Sequence, residues 1–514
     1  MEPVPADPLG PLGPATFDLH ALPTHLYPAR PYGGPALPAR KITPVRTKDR
    51  RGRLTGPGRL GLPLRRTPVQ AVLGPAGAGK TLTALGSSYT GGHNWDPYLW
   101  SYTDIHWVSA RDEGTLEAGL LNVLRTRGVG PQDLRAARRG GTPIEDLVLA
   151  RLVPREHPWM LILDGLDDPR LLADAQAPGG ILRAGIPRSP GIEGGRIVVT
   201  SRITDPAAWG RWISLRQIEP WRSERAVELL QLHTGAQGAH ASELGALAGR
   251  LRNLPLALRL AGRYLHAVGP DSGTGHALGI RDLRSAFEER HVQLFGTDHT
   301  AGAGLPADVA VLCDLSLDLL ADRGLHHARV VLHVLGQLGP QPVPIAFLDL
   351  ASTVGLPSGD GPAPVRSTAR DAARGRQPVT GEQLHAALDG LGDLGLVHVR
   401  RTHVETDPLV VEAVRATTAR DPGEDRAVLG VVADLLDLAV RSIDADAADQ
   451  AAWWPALAPH LNAVADAARR TDPGQTLRLH ALADVVSTAL HRAGHQRSAH
   501  LIASTAAPEA GPGR

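Results

Sequence analysis

The chain has 514 residues, of which 42% are hydrophobic and 21% charged, and its formal net charge at pH 7 is +1. One hydrophobic core does not extend over this length, so several domains are expected. The near-zero charge excludes general electrostatic attraction to nucleic acids or membranes, and a single cysteine, Cys313, excludes an internal disulfide. No apolar run reaches the length of a membrane-spanning helix, and the first residues lack signal-peptide features, so we expect a cytoplasmic protein without membrane contact.

Residues 1–66 form the first segment and are rich in Pro, Gly and Arg. They contain 13 of the 43 prolines and show almost no sustained hydrophobic periodicity. This composition predicts a flexible segment, with an extended segment docked on the next domain as the alternative.

Residues 67–218 alternate short apolar runs with stretches of helical periodicity. Strands that are apolar almost throughout and alternate with helices predict an α/β domain with a parallel sheet and helices on both faces. The predicted strands are Val69–Leu73, Asp104–Ala110, Trp159–Asp164, Arg196–Ser201 and Trp212–Arg216.

A glycine-rich loop follows the first predicted strand and matches G-x-x-x-x-G-K-T, the P-loop pattern. Its backbone N–H groups can surround phosphate oxygens, and the following helix adds its positive N-terminal end. Lys80, one of only three lysines in the chain, offers a compact charge for the β- and γ-phosphates, and Thr81 offers a hydroxyl ligand for Mg²⁺. A glycine-rich turn without a ligand is the alternative. The predicted phosphate-binding residues are Gly74, Pro75, Ala76, Gly77, Ala78, Gly79, Lys80, Thr81 and Leu82.

An acidic residue ends the apolar strand in "WMLILDGLDD". Asp164 is therefore predicted to hold Mg²⁺ together with Thr81 at the carboxyl edge of the sheet. Gly165 stands where rapid ATPases often place a glutamate that positions water, so we expect slow hydrolysis unless Asp167 or Asp168 substitutes. The alternative for these two acids is a helix N-terminus with favourable dipole charges. Lys80, Asp164 and Asp167 are the predicted catalytic residues.

The strand "RIVVTS" is followed by Arg202. An arginine at this edge can contact a γ-phosphate through two hydrogen bonds and so sense ATP. A surface arginine without a ligand is the alternative.

Helices dominate beyond residue 218. Residues 219–300 are predicted to form a helical domain, and a helix pair followed by a strand hairpin in residues 301–420 suggests a winged-helix domain. Residues 421–514 are predicted to be a helical tail.

The three motifs, in this order and together with "NLPLALRLAG" from Asn253, resemble the NB-ARC branch of the STAND signalling ATPases. The likeness covers roughly residues 67–420. It implies that the chain binds ATP or ADP and that exchange between the two switches the orientation of its domains. In the family, a proline of this element approaches the nucleotide; here that residue is Pro255, and Asn253 replaces the usual glycine.

The same resemblance concerns Asp407 in "THVETDPLVVEAVR". It stands where the family usually has a histidine against the β-phosphate of ADP. A carboxylate there would repel phosphate and weaken the ADP-bound state. The alternative is that Asp407 caps the helix that begins at Pro408.

The helices of the tail resemble the start of a tetratricopeptide array, which implies protein partners and, as in relatives, possible ATP-dependent homo-oligomers. Two alternatives remain open. One is an ATP-gated DNA-binding regulator whose wing carries Arg400 and Arg401, although residues 1–66 resemble no DNA-binding domain, so DNA is not the expected partner. The other is a scaffold that binds nucleotide without hydrolysing it.

Overall fold

The computed structural model describes most of the chain beyond residue 68. The described residues are 47–48, 54–55, 69–81, 83–84, 104–130, 132–134, 136, 143–152, 159–168, 171, 195–209, 213–234, 241–269, 280–295, 305–339, 341–357, 376–377, 379–443 and 453–506. Strands β1 (Thr47–Lys48) and β2 (Leu54–Thr55) pair antiparallel. The expectations for the rest of residues 1–66 lie outside the described residues, as does the predicted role of Leu82.

The chain divides into two compact units. The sheet unit contains the described residues up to Pro75 and those from Gly79 to Glu219. The helical unit contains Ala76–Ala78 and the described residues from Pro220 onward. The predicted domain border at residue 218 therefore falls beside the division between the units.

The sheet unit is built on five parallel strands in the order β4-β5-β6-β3-β7. The predicted strands all occur, and the last begins later than its sequence pattern suggested. The strands are β3 (Val69–Leu73), β4 (Asp104–Ser109), β5 (Trp159–Asp164), β6 (Gly195–Ser201) and β7 (Ser214–Gln217).

Alternate residues of these strands enter two separate hydrophobic clusters. On one face of the sheet, Val199 and the other strand residues of its cluster pack with helices α1 (Glu113–Thr126) and α2 (Ile144–Leu152). The opposite cluster contains Val198 together with Ala84, from the helical turn that follows the glycine-rich loop. Because strand side chains alternate between faces, a strand that is apolar throughout is buried on both sides. The predicted α/β architecture with helices on both faces is confirmed.

In the first part of the helical unit, α5, α6 and α8 pack against α7, and α3 packs against α4 and α5. Arginine and aspartate side chains form ion pairs between α6, α7 and α8: Arg290 and Arg329 each contact both Asp314 and Asp318. The helices are α3 (Ser223–Thr234), α4 (Ala241–Arg250), α5 (Pro255–Ala267), α6 (Ile280–Phe295), α7 (Leu305–Asp322) and α8 (His327–Gln337).

The predicted strand hairpin is present in this unit and belongs to a three-stranded antiparallel sheet. Strands β11 (Val397–Val399) and β12 (His403–Thr406) form the hairpin, and β8 (Val343–Pro344) pairs with β12. Helices α9 (Ile345–Asp349), α10 (Ala351–Val354) and α11 (Gly381–Asp393) stand between β8 and β11 in the chain, and β9 (Leu356–Pro357) pairs with β10 (Arg376–Gln377). The hairpin is followed by α12 (Pro408–Thr418).

The tail is helical, as predicted, and successive helices pack on one another. Asp421 and Asp472 cap α13 and α15 through hydrogen bonds from backbone N–H groups. Among the described helices, none combines the length and the apolar character needed to cross a bilayer. The tail helices are α13 (Pro422–Ser442), α14 (Trp453–Thr471), α15 (Pro473–Ala493) and α16 (Gln496–Ala506).

Candidate functional site

The glycine-rich loop leaves the carboxyl end of β3 and leads into a helical turn at Lys80. Gly77 and Gly79 have φ values of 71° and 88°, which lie in the left-handed region that side-chain-bearing residues rarely adopt. The N–H of Thr83 donates to the carbonyl of Gly79 at 2.9 Å, which is the first bond of the helical turn. The loop therefore has the backbone form that the sequence motif requires.

Lys80 folds back across the loop. Its Nζ donates to the carbonyl oxygen of Pro75 at 2.8 Å. The ammonium is thus held against the backbone of the loop itself. A point charge on a flexible stem can move from this carbonyl to an incoming phosphate.

Thr81 and Asp164, whose role as metal ligands stays a prediction, contact each other directly. The Thr81 hydroxyl donates to Oδ1 of Asp164 at 2.9 Å. Asp164 is buried at the end of β5, and its Oδ1 also accepts from the hydroxyl of Thr200 at 2.5 Å. A hydroxyl and a carboxylate are hard oxygen ligands of the kind that Mg²⁺ prefers, so this pair fits the predicted metal.

Thr200 is a site residue that the sequence analysis missed. It stands in β6 and bridges two parts of the edge: it donates to Asp164, and it accepts from the N–H of Gly165 at 2.9 Å. A threonine that directly follows the apolar run of β6, one residue from the carboxyl end of the strand, was the available signal. Thr200 orients the Asp164 carboxylate.

Arg202 and Asp167 form an ion pair. The Arg202 Nε donates to Oδ2 of Asp167 at 2.6 Å, and the Arg202 backbone N–H donates to Oδ1 at 2.7 Å. The structure therefore joins two residues that the sequence treated separately. The predicted roles of Arg202 as a γ-phosphate sensor and of Asp167 as a water-positioning acid stay predictions. In this structure the two side chains bind each other.

Pro255 begins helix α5, as its fixed φ favours at a first helical position. The two residues that precede Leu254, Arg252 and Asn253, have positive φ values of 55° and 53°. Asparagine tolerates the left-handed conformation better than most residues, which explains how Asn253 takes the place of a glycine. Within the helical unit, the N–H of Leu256 donates to the carbonyl of Gly77 at 3.4 Å.

Asp407 caps helix α12: its side chain accepts from the N–H of Leu409 at 2.9 Å. The capping alternative is therefore observed. Arg259 of α5 is half-buried. Desolvation lowers its pKa, while the charge of Asp407 acts in the opposite direction.

Comparison with known proteins yields matches among solved structures only. No family model matches the chain, and no curated protein matches it. A STAND protein with a tetratricopeptide repeat sensor from Pyrococcus horikoshii is 12% identical, with a TM-score of 0.43 over 86% of this chain and 56% of that one. A Walker-type ATPase of Pyrococcus abyssi is 13% identical, with a TM-score of 0.26 over 68% of this chain and 92% of that one. This chain spans little more than half of the length of the first.

The fold is an α/β domain of the P-loop NTPase type followed by helical domains. This assignment depends on the parallel sheet, on the loop between β3 and its helical turn, and on Asp164 at the end of β5. Lys80, Thr81 and Asp164 belong to the sheet unit and lie at the carboxyl edge of its sheet. The candidate site is therefore the carboxyl edge of the five-stranded sheet.

Proposed function

We propose that this chain is a nucleotide-dependent switch of the NB-ARC branch of the STAND ATPases, and that it binds ATP or ADP with Mg²⁺. The observation that carries the proposal is the 2.9 Å hydrogen bond from Thr81 to Asp164. These residues stand 83 positions apart, and a shared metal ion explains why a loop hydroxyl and a strand-end carboxylate are brought together.

Each residue of the site is proposed to contact a different part of the Mg²⁺–nucleotide. The backbone of the loop from Gly74 to Gly79 binds the phosphates, and Lys80 contacts the β- and γ-phosphates. Thr81 and Asp164 hold the Mg²⁺ ion, which neutralises phosphate charge when bound. Arg202 responds to the γ-phosphate, and release from Asp167 accompanies that response.

Slow hydrolysis is part of the proposal. Gly165 offers no side chain to position water, and the Asp167 carboxylate accepts two hydrogen bonds from Arg202. A carboxylate engaged in this way is a poor partner for an attacking water. ATP therefore persists long enough to define a state of the protein.

Signalling through domain rearrangement follows from the rest of the chain. The order of elements from α8 to β12, with one strand, short helices, a longer helix and a hairpin, supports a winged-helix domain. Pro255 and Asp407 are the proposed contributors of the helical unit to the nucleotide. The packed helices α13 to α16 offer a tetratricopeptide-like surface for protein partners or ATP-dependent self-association of a cytoplasmic protein.

The hairpin does not favour the DNA-binding alternative. Its Arg400 lies 3.9 Å from the carboxylate of Glu405, and His403 lies 3.1 Å from the same carboxylate. An acid between the basic side chains reduces the attraction of this hairpin for phosphate backbones.

Replacing Lys80 tests the proposal. We expect Lys80→Ala to lower the affinity for Mg²⁺–ATP and Mg²⁺–ADP by about 100-fold or more, because a charge-assisted contact to phosphate is lost. Calorimetric titration of the full chain measures both affinities. Lys48→Ala, at one of the two other lysines, is the matched control and should bind like the unaltered chain. Unchanged affinity in Lys80→Ala would overturn the proposed function.

A further inference from the structure

We propose that Arg111 is a third cationic residue of this site and that it contacts the terminal phosphate of a nucleoside triphosphate. The inference rests on the proposed function and adds a residue that lies on the strand next to the one carrying Asp164. It begins from an unexpected neighbour of Gly165, the residue that follows Asp164.

The strand register brings Arg111 to the edge of the sheet. In the parallel pair of β4 and β5, Ser109 stands beside Asp164. The N–H of Ala110 donates to the carbonyl of Asp164 at 2.8 Å, which extends the pairing by one step. Arg111 is therefore one of the first residues beyond β4, at the level of Gly165 on the neighbouring strand.

Arg111 occupies the space where a side chain at position 165 would stand. A Cβ built on Gly165 would lie 2.8 Å from Cγ and 3.2 Å from Nε of Arg111. Gly165 also has a φ of 77°, a left-handed conformation that strains other residues. A side chain at position 165 would therefore strain the backbone and would also displace the Arg111 side chain.

The backbone of Arg111 is fixed on its other side as well. The next residue, Asp112, is the N-cap of α1, and its carboxylate accepts from the N–H of Thr115 at 2.8 Å. The Thr115 hydroxyl lies 3.4 Å from the Asp112 N–H and completes a capping box. Arg111 is held between a paired strand and a capped helix, so its side chain leaves a defined point of the edge.

The chemistry of the site changes when a guanidinium takes the place of a carboxylate. A glutamate after Asp164 would accept a proton from water and promote hydrolysis. A guanidinium cannot act as a base, and it donates to phosphate oxygens in a fixed, planar arrangement. With Lys80 and Arg202, Arg111 favours the ligand with the greater negative charge. The site is therefore built to recognise ATP and to retain it.

The affinity for triphosphate relative to diphosphate tests this inference. Calorimetry on the full chain would use Mg²⁺ with the slowly hydrolysed analogue AMPPNP, and Mg²⁺ with ADP. We expect Arg111→Ala to weaken AMPPNP binding about tenfold or more and ADP binding less than about twofold, because only the triphosphate has the contacted group. Arg111→Lys, which keeps the charge, should recover part of the loss. Arg151→Ala, an exposed arginine at the end of α2, is the matched control.

The outcomes separate this inference from the proposed function. If the unaltered chain binds both nucleotides and Arg111→Ala binds them with unchanged or equally reduced affinity, the inference is wrong and the function stands. A thermal unfolding midpoint of the nucleotide-free variant equal to that of the unaltered chain would show that the loss is not structural. Gly165→Ala, which displaces Arg111, should reduce the preference for AMPPNP in the same direction. A preserved preference in that variant also contradicts the inference.

Discussion

At the scale of single residues, Asp407 combines two effects that one substitution separates. Its carboxylate caps α12, and its charge acts on Arg259. Asparagine caps helices about as well as aspartate and carries no charge. Asp407→Asn is therefore expected to keep the stability of the chain and to raise the affinity for ADP if the carboxylate opposes the β-phosphate.

The control for this experiment is Asp407→Ala, which removes both cap and charge. It should cost about 1 kcal/mol of stability, measured by denaturant unfolding. Rates of ADP release from Asp407→Asn and Asp407→His report the effect on the nucleotide. Equal release from both variants and the unaltered chain would leave Asp407 with the capping role alone.

The P-loop and Asp164 were predictable because short local sequence patterns indicate their chemistry. Lys80 and Thr81 end a glycine-rich loop that follows one predicted apolar strand, and Asp164 ends another. Arg111 was not predictable in the same way. Its position over Gly165 depends on the register between two strands whose paired residues, such as Ser109 and Asp164, are far apart in the sequence, and no local pattern records that register.

At the scale of elements, helix α14 carries a histidine whose protonation opposes folding. His460 is completely buried, and desolvation lowers its pKa from 6.5 to about 4, although hydrogen bonds to the carbonyls of Pro342 and Gly339 act against this shift. Its Nε2 lies 3.2 Å from the Pro342 oxygen. The imidazole therefore links α14 to the segment before β8 in its neutral form.

The consequence is a loss of stability in acid. Between pH 6.5 and about 4, the unfolded chain binds a proton at this histidine and the folded chain does not. The free energy of unfolding contributed by His460 then falls as the pH is lowered through this window, by about 1.4 kcal/mol per pH unit at most. Half-buried His233, whose pKa is also lowered to about 4, mainly by desolvation, adds to the same trend.

Urea unfolding of the full chain at several pH values measures this effect. His460→Gln, which can still donate to a carbonyl but does not titrate, should show a weaker decrease between pH 6.5 and 4.5. The exposed His491→Gln on α15 is the control and should follow the unaltered chain. An identical decrease in all three proteins would show that His460 does not stay neutral when folded.

At the scale of elements the sequence also explains most of the architecture. Strands that are apolar throughout predict a sheet that is buried on both faces, and a hydrophobic cluster lies on each face. The ion pairs between elements could not be predicted from the sequence. Arg376 of β10 and Arg478 of α15 both pair with Asp434 of α13. Charged residues on helix faces look alike in a sequence, whether they meet a partner or water, because only the packing of the helices decides between them.

In the whole molecule, we expect the nucleotide to change both units and not only the loop. The sheet unit holds Lys80, Thr81 and Asp164, whereas Pro255 and Asp407 belong to the helical unit. A protein that merely binds ATP needs the first set. A switch needs the response of the second.

Amide hydrogen exchange of the full chain, measured with Mg²⁺–AMPPNP and with Mg²⁺–ADP, tests this claim most directly. We expect the two ligands to give different protection of the backbone amides in residues 74–84 and also in helices α5 and α12 of the helical unit. Lys80→Ala should show neither difference. Protection that differs only around residues 74–84 and 164–168, or that is the same with both ligands, would contradict the switch.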